Sequence, residues 1–459
     1  MIRSINPATE ELLAEFDPWS SSQVDSAVDA VVDAQREWRG WSLEARATVL
    51  RSVAALLRDR SEQYAQLITM EMGKPISEAL GEIEKCAVGA EHYAEHGARY
   101  LEPEPVATES LDSYVAYEPL GVVLAIMPWN FPFWQVIRAS VPILMAGNGV
   151  VLKHASNIPQ CALAVEEVFR DAGVPDGLLR AVLLEGAAVE SLVADGRIAG
   201  ITLTGSSDVG ARIASIAGRH LKKQVLELGG SDPFIVLADA DVGYAARVAA
   251  RARNQNNGQS CIAAKRFLVE DAVGDEFAAR LADAIRELRV GDPLDPGVQV
   301  GPLARADLRD TLAEQVAASV EAGAAVMVGN GPIPDRGWYF APTLLDGVSP
   351  AMPAFREETF GPVAALTRAR DLEEAVALAN DTIYGLGASL WTRDLDAARH
   401  VARRLEAGLV FVNGLVASDA RMPMGGVKAS GYGRELGEHG AREFTNVQTV
   451  RIGPGDGPG

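Results

Sequence analysis

The stretch VVLAIMPWNFP at residues 122–132 is the clearest indication of the fold class. Its first six residues are apolar without alternation, as in a strand buried on both faces, and two prolines then fix the following loop. Helical patterns such as 159–172 and 208–216 separate several further apolar runs, which lie at 150–152, 181–184, 201–203, 225–228 and 234–237. Strands separated by helices predict an α/β fold with a parallel sheet covered on both faces.

The segments on either side of this region extend the same prediction. Helical spacing predicts helices at 22–38 and 43–70, whereas the polar, proline-containing residues 101–118 predict an excursion or an exposed hairpin. A second α/β stretch is predicted over about 240–424, with helices near 240–253, 271–289 and 305–322. The alternating residues after Thr445 predict a strand, and 453–459 predict a frayed terminus.

Composition excludes several classes of protein. The 459 residues carry a formal net charge of −20, and that charge disfavours nucleic acid or an anionic membrane as a partner. Three widely spaced cysteines predict no disulfide framework, and no cysteine or histidine cluster has metal-ligand spacing. The N-terminus lacks the apolar core of a signal peptide, and the longest uncharged run, 119–137, contains three prolines. We therefore expect a cytoplasmic protein without a metal or a membrane span.

Cys261, in the stretch NNGQSC at 256–261, is a candidate nucleophile. It follows a predicted helix and a glycine-containing loop, and a thiolate attacks carbonyl carbons well. A lone cysteine is more often a small buried apolar residue, and taken alone that alternative is favoured. The same alternative is kept for Cys86 and Cys161, which lie in helical patterns.

Glu227 stands in the apolar run LEL at 226–228, just before two glycines. Burial of a carboxylate there would raise its pKa, which suits a general base. An edge-strand glutamate that faces water explains the pattern equally well.

Asn130 and the stretch TGSSDVG at 204–210 both follow predicted strands, at the edge where open α/β sheets bind ligands. An amide N–H held there can donate to an oxyanion, an interaction worth about 2.7–4 kcal/mol, although a turn asparagine usually bonds its own backbone. Strand, glycine turn and helix N-terminus also form phosphate sites, but a simple capped helix fits 204–210 as well. The dinucleotide fingerprint G-x-G-x-x-G is absent from the sequence.

Taken together and in order, six motifs resemble those of the NAD(P)-dependent aldehyde dehydrogenase superfamily; they lie at 128–132, 204–210, 227–230, 258–261, 357–362 and 425–428. Three stretches, at 152–156, 227–234 and 256–266, are most similar to bacterial succinate-semialdehyde dehydrogenases. The resemblance implies a Rossmann-type cofactor domain at 1–226, in which 101–118 is an oligomerisation hairpin. It further implies an α/β catalytic domain at 227–424 and a return segment with an oligomerisation strand at 425–459.

The resemblance also implies roles for single residues. Cys261 would form a thiohemiacetal and then a thioester, Asn130 and the Cys261 N–H would hold the oxyanion, and Glu227 would activate the hydrolytic water. Cofactor contacts are implied for Trp129, Lys153, Ser156, Gly205, Ser206, Glu358 and Phe360. Of these, Lys153 would bind the adenine ribose, Ser206 the pyrophosphate, and Glu358 with Phe360 the nicotinamide ribose.

One departure from the family concerns the cofactor. Many NAD-preferring relatives have a glutamate for the ribose 2′-hydroxyl where this chain has Ser156. Because a neutral serine does not repel a 2′-phosphate, we expect NADP as the preferred cofactor and NAD as a second one.

A second departure concerns the substrate. Arg138 matches an arginine that binds the distal carboxylate in animal succinate-semialdehyde dehydrogenases, and Ser418 approximately matches their substrate serine. Gln255 replaces their second arginine, so help for Arg138 is expected from Arg421 or Lys265.

Succinate semialdehyde is therefore the expected substrate. The alternatives are another acidic, aliphatic or aromatic aldehyde, held in a tunnel lined by Trp134 and Phe133, and an inactive scaffold that only binds. We expect a homodimer or homotetramer, in which 101–118 and the C-terminal strand extend a neighbour's sheet.

Overall fold

The strand Val122–Met127 lies inside a six-stranded sheet in the computed structural model, which describes residues 1–453. The last six residues of the predicted frayed terminus lie outside the described residues. The strands are β1 (Ile2–Ile5), β2 (Leu12–Phe16), β3 (Glu104–Pro105), β4 (Asp112–Pro119), β5 (Val122–Met127), β6 (Gly149–His154), β7 (Leu179–Ala181), β8 (Ile198–Thr204), β9 (Lys223–Glu227), β10 (Asp232–Val236), β11 (Ala264–Glu270), β12 (Ala325–Val328), β13 (Thr343–Asp346), β14 (Val363–Ala369), β15 (Gly387–Trp391), β16 (Leu409–Val412), β17 (Gly431–Tyr432) and β18 (Thr445–Ile452).

The helices occupy most of the segments between these strands. They are α1 (Ser21–Trp38), α2 (Leu43–Asp59), α3 (Ser61–Met72), α4 (Ile76–Leu101), α5 (Trp134–Met145), α6 (Pro159–Ala172), α7 (Gly186–Ala194), α8 (Ser207–Arg219), α9 (Val242–Asn254), α10 (Asp271–Arg286), α11 (Ala306–Glu321), α12 (Pro353–Arg356), α13 (Leu372–Asn380), α14 (Leu395–Ala402) and α15 (Gly437–Glu443). The single helix predicted over 43–70 is wrong, because the backbone of Arg60 leaves helical geometry and separates α2 from α3. Apolar spacing continues across the break, so periodicity gives no sign of it.

The first large sheet has the strand order β17-β9-β8-β5-β6-β7, and every strand except β17 is parallel to its neighbours. Along β5, Val123 and Ala125 pack in one core cluster with α5 and α6, whereas Val122 and Leu124 pack in another with α1, α7 and α8. Helices on both faces explain why the quoted strand is apolar without alternation. The strand order reverses between β5 and β8, so their carboxyl ends form the crevice where such sheets bind ligands.

The second large sheet has the order β12-β13-β14-β11-β10-β15-β16 and is parallel except for β12. The run at 234–237, predicted with the first sheet, belongs here instead, because the glycine-containing link 228–231 carries the chain from β9 into this sheet. The two largely parallel sheets and their covering helices confirm the predicted α/β class.

Two small antiparallel sheets complete the fold. β1 pairs with β2, and β18 pairs along its whole length with β4, which in turn pairs with β3. Residues 101–118 thus contribute a hairpin to the same sheet as the C-terminal strand, while their role in oligomerisation stays a prediction. Among the helices of residues 1–453, none combines the length and apolar character that a membrane span requires.

Candidate active site

The loop that ends at Cys261 has three consecutive residues in left-handed backbone geometry, with φ of 55° at Asn256, 57° at Asn257 and 71° at Gly258. Asparagine tolerates this region better than other residues that carry a Cβ. At Gly258 a Cβ would lie 2.3 Å from the carbonyl carbon of Gly361, so only glycine fits there. The tight turn between α9 and β11 brings Cys261 to the wall of a cavity.

Side-chain hydrogen bonds fix this loop against other segments. Asn256 Nδ2 donates to the backbone oxygen of Asn130 at 2.8 Å. Asn257 Oδ1 accepts from the N–H of Gly301 at 2.7 Å. Both side chains are buried. These hydrogen bonds set the position of the loop that carries Cys261.

Asn130 lies directly across from the same loop. Its Nδ2 donates to the backbone oxygen of Gln259 at 3.1 Å, so the side chain reaches the loop of Cys261 and does not bond its own turn. An amide nitrogen carries two N–H groups, so one remains for a ligand next to the cysteine.

Two buried groups hold the loop of Asn130 in place. The His154 ring donates through Nε2 to the backbone oxygen of Pro132 at 2.8 Å, and burial lowers its pKa to about 4, so it is neutral. Glu82 Oε1 accepts from the N–H groups of Phe133 at 2.9 Å and Trp134 at 3.0 Å, at the start of α5. Both groups thus hold the end of the loop, where it leads into α5.

Cys261 is partly exposed and opens into a cavity of about 360 Å³. Arg138, Trp134, Gln255 and Ser418 line the same cavity. Burial raises the pKa of the Cys261 thiol to about 11, and the nearby charge of Arg138 opposes that rise. The alternative that this cysteine is only a sealed apolar residue is wrong. Cys86 and Cys161 are fully buried, as that alternative predicts for them.

Glu227 ends β9 and is buried, with 2% of its surface exposed. Both carboxylate oxygens lack a hydrogen-bond partner among the described residues. Burial raises its pKa to about 8, Arg138 opposes the rise and Glu435 adds to it. The alternative of an edge-strand glutamate facing water is therefore wrong.

Arg138 is held on several sides by the protein. Its Nε pairs with the Glu435 carboxylate, and its Nη2 donates to Thr204 Oγ1 at 3.2 Å. Its charge acts on both Glu227 and Cys261. Arg138 lines the cavity, but Glu435 already neutralises much of its charge.

Three residues expected near the substrate are engaged elsewhere. Lys265 is fully buried and donates to the backbone oxygen of Cys261 at 2.8 Å. Arg421 pairs with Asp419 and is largely exposed. Phe133 is fully buried against Tyr64, so of the two predicted tunnel aromatics only Trp134 reaches the cavity. The expectation that Lys265 or Arg421 helps Arg138 is not supported by these contacts.

The residues predicted to contact a dinucleotide gather at one edge of the first sheet. Trp129 follows β5, Lys153 and Ser156 lie at the end of β6, and Gly205 and Ser206 follow β8. The Ser206 side chain accepts from the N–H of Val209 and caps α8. These positions form the crevice at the reversal of strand order.

Glu358 and Phe360 approach this edge from the second sheet. The Phe360 ring meets the Trp129 ring edge to face, with centroids 5.7 Å apart. Glu358 Oε1 accepts from the N–H of Gly230 at 3.1 Å, and burial raises its pKa. The residues predicted for the cofactor therefore come from both sheets, and two of them meet near the link between the sheets.

A family model described as the aldehyde dehydrogenase family matches residues 1–450. The chain belongs to the aldehyde dehydrogenase family. It is 49% identical over 448 residues to succinate semialdehyde dehydrogenase Sad of Escherichia coli strain K12, named for NAD(P)+, covering 97% of each chain. It is 45% identical over 454 residues to the NADP+ succinate-semialdehyde dehydrogenase 1 of Mycobacterium tuberculosis H37Rv, covering 98% of this chain and 99% of the relative.

A solved aldehyde dehydrogenase structure agrees with this relationship. The succinic semialdehyde dehydrogenase of Streptococcus pyogenes, crystallised with NADP+ as the cofactor, is 36% identical and superposes with a TM-score of 0.96. The match covers 99% of this chain and 100% of that one. The predicted aldehyde dehydrogenase-like fold and the predicted enzyme class are confirmed.

The carboxyl edge of the first sheet in this aldehyde dehydrogenase carries groups that suit a dinucleotide. The Lys153 ammonium is partly buried, and among the described residues it forms no ion pair or hydrogen bond, so burial lowers its pKa without compensation. Ser156, three residues later, is exposed and neutral, and the first turn of α8 presents N–H groups beside Gly205. An unpaired cation beside neutral donors suits an anionic, hydroxyl-rich ligand.

Sequence reasoning missed several residues of this aldehyde dehydrogenase site. The structural role of Asn256 and Asn257 is not predicted from the sequence, although two asparagines before a glycine indicate left-handed backbone. Glu435, in the stretch GYGRELG, lies in no apolar run that would predict its burial beside Arg138. Lys85, on α4 at the cavity wall, is the fourth residue that was missed. Within residues 1–453, no group of three His, Cys, Asp or Glu side chains converges on a metal position.

Proposed function

We propose that this aldehyde dehydrogenase oxidises succinate semialdehyde to succinate, with NADP+ as the preferred cofactor and NAD+ as a second one. The observation that carries the proposal is a single cavity in which Cys261 shares the wall with Arg138, Trp134 and Ser418. It offers a nucleophile for the aldehyde carbon and polar, cationic groups for a distal carboxylate. Relatives at 49% and 45% identity carry this activity in their names.

In the proposed reaction the Cys261 thiol gives its proton to water in the cavity, and its sulfur then bonds to the aldehyde carbon as the carbon–oxygen π bond breaks. The carbonyl oxygen becomes an oxyanion, which the free N–H of Asn130 and the backbone N–H of Cys261 stabilise. Arg138 favours the thiolate, because its positive charge opposes the effect of burial on the thiol pKa. When bound, the cofactor supplies the two-electron oxidant that converts this adduct into a thioester on Cys261.

Hydrolysis of the thioester is assigned to Glu227. Its carboxylate takes a proton from water, the water oxygen bonds to the acyl carbon, and the Cys261 sulfur leaves with the electron pair of the broken C–S bond. A base with a pKa near 8 is well matched to this proton transfer near neutral pH. Its unpaired oxygens are free to accept the proton.

For the cofactor, Lys153 would bind the adenine ribose, Ser206 and the Gly205 turn the pyrophosphate, and Glu358 with Phe360 the nicotinamide ribose beside Trp129. The preference for NADP+ rests on Ser156, because a neutral side chain near Lys153 does not repel a 2′-phosphate. Comparing kcat/KM for the two cofactors tests the preference, and a higher value with NAD+ would contradict it.

The substrate is tested with succinate semialdehyde and butanal, which have the same chain length and differ in the carboxylate. The absorbance of reduced nicotinamide follows both reactions. We expect kcat/KM to be at least about 10-fold higher for succinate semialdehyde, as a hydrogen-bonded charge pair provides. Equal or better turnover of butanal would contradict the anionic substrate and favour an aliphatic aldehyde. If the enzyme oxidised no aldehyde with either cofactor, the alternative of an inactive scaffold that only binds its ligand would be favoured.

We also propose a cytoplasmic homodimer or homotetramer that uses the sheet β18-β4-β3. β18 is an edge strand with exposed apolar side chains, among them Val447 and Ile452. A neighbour's strand would satisfy its free backbone groups. We further propose the domain division at 226/227 and 424/425, which places both segments of this sheet outside the catalytic domain. A monomeric mass in light scattering would contradict this assembly.

A further inference from the structure

One corner of the cavity contains a cation that the proposed reaction does not use. Lys85, on α4, donates from Nζ to Ser418 Oγ at 2.7 Å, and its Nζ lies 4.7 Å from the centroid of the Trp134 ring. Trp134 Nε1 donates to the same Ser418 Oγ at 3.2 Å. All three side chains line the cavity that contains Cys261.

The hydrogen bonds of Ser418 leave one group free. A serine hydroxyl has two acceptor positions and one O–H donor. Lys85 and Trp134 occupy both acceptor positions, so the remaining O–H has to donate to something else. Lys85 Nζ likewise has three donors, of which Ser418 takes one. Lys85 and Ser418 therefore present free hydrogen-bond donors to the cavity, which a ligand with acceptor oxygens would satisfy.

No carboxylate of the described chain forms an ion pair with Lys85. Among residues 1–453, none lies within ion-pair distance of the Lys85 ammonium. Glu82, one turn earlier on α4, is occupied by Lys74 and by the N–H groups at the start of α5. Burial lowers the pKa of Lys85 to about 8, the like charge of Arg138 adds to this effect, and the charge of Glu82 only partly opposes it. An arriving anion would supply the missing partner.

Arg138 is less well suited to be the sole partner of a substrate carboxylate. Its Nε is paired with Glu435 and its Nη2 donates to Thr204, so much of its charge is used within the protein. Gln255, on the same cavity wall, is neutral. Arg251 also lines the cavity without an ion pair among the described residues, but it is exposed. Lys85 is the half-buried cation of this wall that has no ion pair within residues 1–453.

We propose that Lys85 and the Ser418 hydroxyl form the subsite that binds the distal carboxylate of the substrate. Lys85 contributes the charge, Ser418 contributes a directed O–H, and the Trp134 ring holds the ammonium in position from its face. The proposal rests on the proposed function and assigns the residue that selects an anionic aldehyde. Arg138 then acts chiefly through its charge, which affects Glu227 and Cys261.

The test compares K85M with the parent enzyme on succinate semialdehyde and on butanal. Methionine has a similar length and no charge, so it keeps the packing on Trp134. We expect KM for succinate semialdehyde to rise by about 10-fold or more, with KM for butanal unchanged or lower. K85R, which keeps the charge, should recover part of the preference, and R247Q, which removes an exposed arginine on α9, should change neither KM.

A second measurement is independent of turnover of the anionic substrate. Succinate is used as a competitive inhibitor of butanal oxidation, and its inhibition constant should rise about 10-fold or more in K85M and by a smaller factor in S418A. If the parent prefers succinate semialdehyde and K85M keeps both that preference and the succinate inhibition, the Lys85 subsite is wrong. If the parent itself shows no preference, the proposed function is wrong.

Discussion

Two buried carboxylates flank the active site, and their surroundings differ. Glu82, on α4, accepts from two backbone N–H groups at the start of α5 and pairs with Lys74. Glu227, at the end of β9, has no hydrogen-bond partner for either oxygen among the described residues. The first carboxylate is fully satisfied and the second is not, although both are almost inaccessible to solvent.

The difference indicates that Glu82 has a structural role and that Glu227 has a chemical one. A satisfied buried carboxylate fixes the geometry around it, and here Glu82 fixes the loop that carries Asn130. An unsatisfied one costs stability and retains free lone pairs for a reaction. Removing the carboxylate at 82 should therefore affect folding, and removing the carboxylate at 227 should affect turnover.

The largest expected effect is on turnover in E227Q. Without the base, the thioester on Cys261 is not hydrolysed, and kcat should fall by about 10²–10⁴-fold. One equivalent of cofactor per active site should still be reduced in a burst, and intact-protein mass spectrometry should detect the acylated enzyme. The thermal stability should be unchanged or higher, since an unpaired buried acid is removed. Full steady-state activity in E227Q would contradict the assignment of the base.

The second expected effect is on stability in E82Q. Lys74 is left buried without its counter-ion, a change that typically costs about 3–5 kcal/mol. Urea unfolding followed by far-UV circular dichroism measures this loss. The matched control is E84Q on the same helix, because Glu84 is exposed and pairs with Arg58, an interaction worth less than about 1 kcal/mol. Equal losses in the two variants would remove the distinction between the carboxylates.

The contrast also shows what the sequence could and could not predict. Glu227 interrupts an apolar strand, so burial and a raised pKa could be inferred, and the two glycines after it suggested a link. That Cys261 and Asn130 act together was implied only by the family resemblance, because Asn130 follows a strand of the first sheet and Cys261 precedes a strand of the second. The burial of Glu227 thus has a local pattern, whereas the meeting of Cys261 and Asn130 has none.

No local pattern in the sequence predicts the burial of Glu82 or Lys85. They lie in the segment EIEK at 82–85, where acidic and basic residues at helical spacing are typical of a solvated face. α4 instead packs against α2, α3 and α5, so parts of its polar face are buried. Glu435 is similar, because its pairing with Arg138 spans almost 300 residues of chain and depends on the return of β17 to the first sheet. Contacts between distant segments of this kind have no local signature.

A third prediction concerns the pH dependence of stability. The carboxyl of Glu227 has a folded pKa of about 8, above its ordinary value, so the native state holds a proton that the unfolded state releases. The free energy of unfolding should therefore decrease as the pH rises from about 4.5 to about 8, by the linkage of proton binding to folding. In E227Q this component of the decrease should be absent. Unfolding in urea across that pH range measures it, and parallel curves for the two proteins would contradict the raised pKa.

The smallest expected effect is a shift of the pH profile in E435Q. Glu435 raises the pKa of Glu227, and it also neutralises part of the Arg138 charge that lowers it. Removing the Glu435 carboxylate therefore acts in one direction by both routes, and the pKa of Glu227 should fall. Thioester hydrolysis, followed as the single-turnover decay of acyl-enzyme, should reach its plateau at a lower pH than in the parent. An unshifted midpoint would mean that the charge of Glu435 does not reach the base, and an upward shift would mean that Arg138 leaves the neighbourhood of Glu227 when its partner is removed.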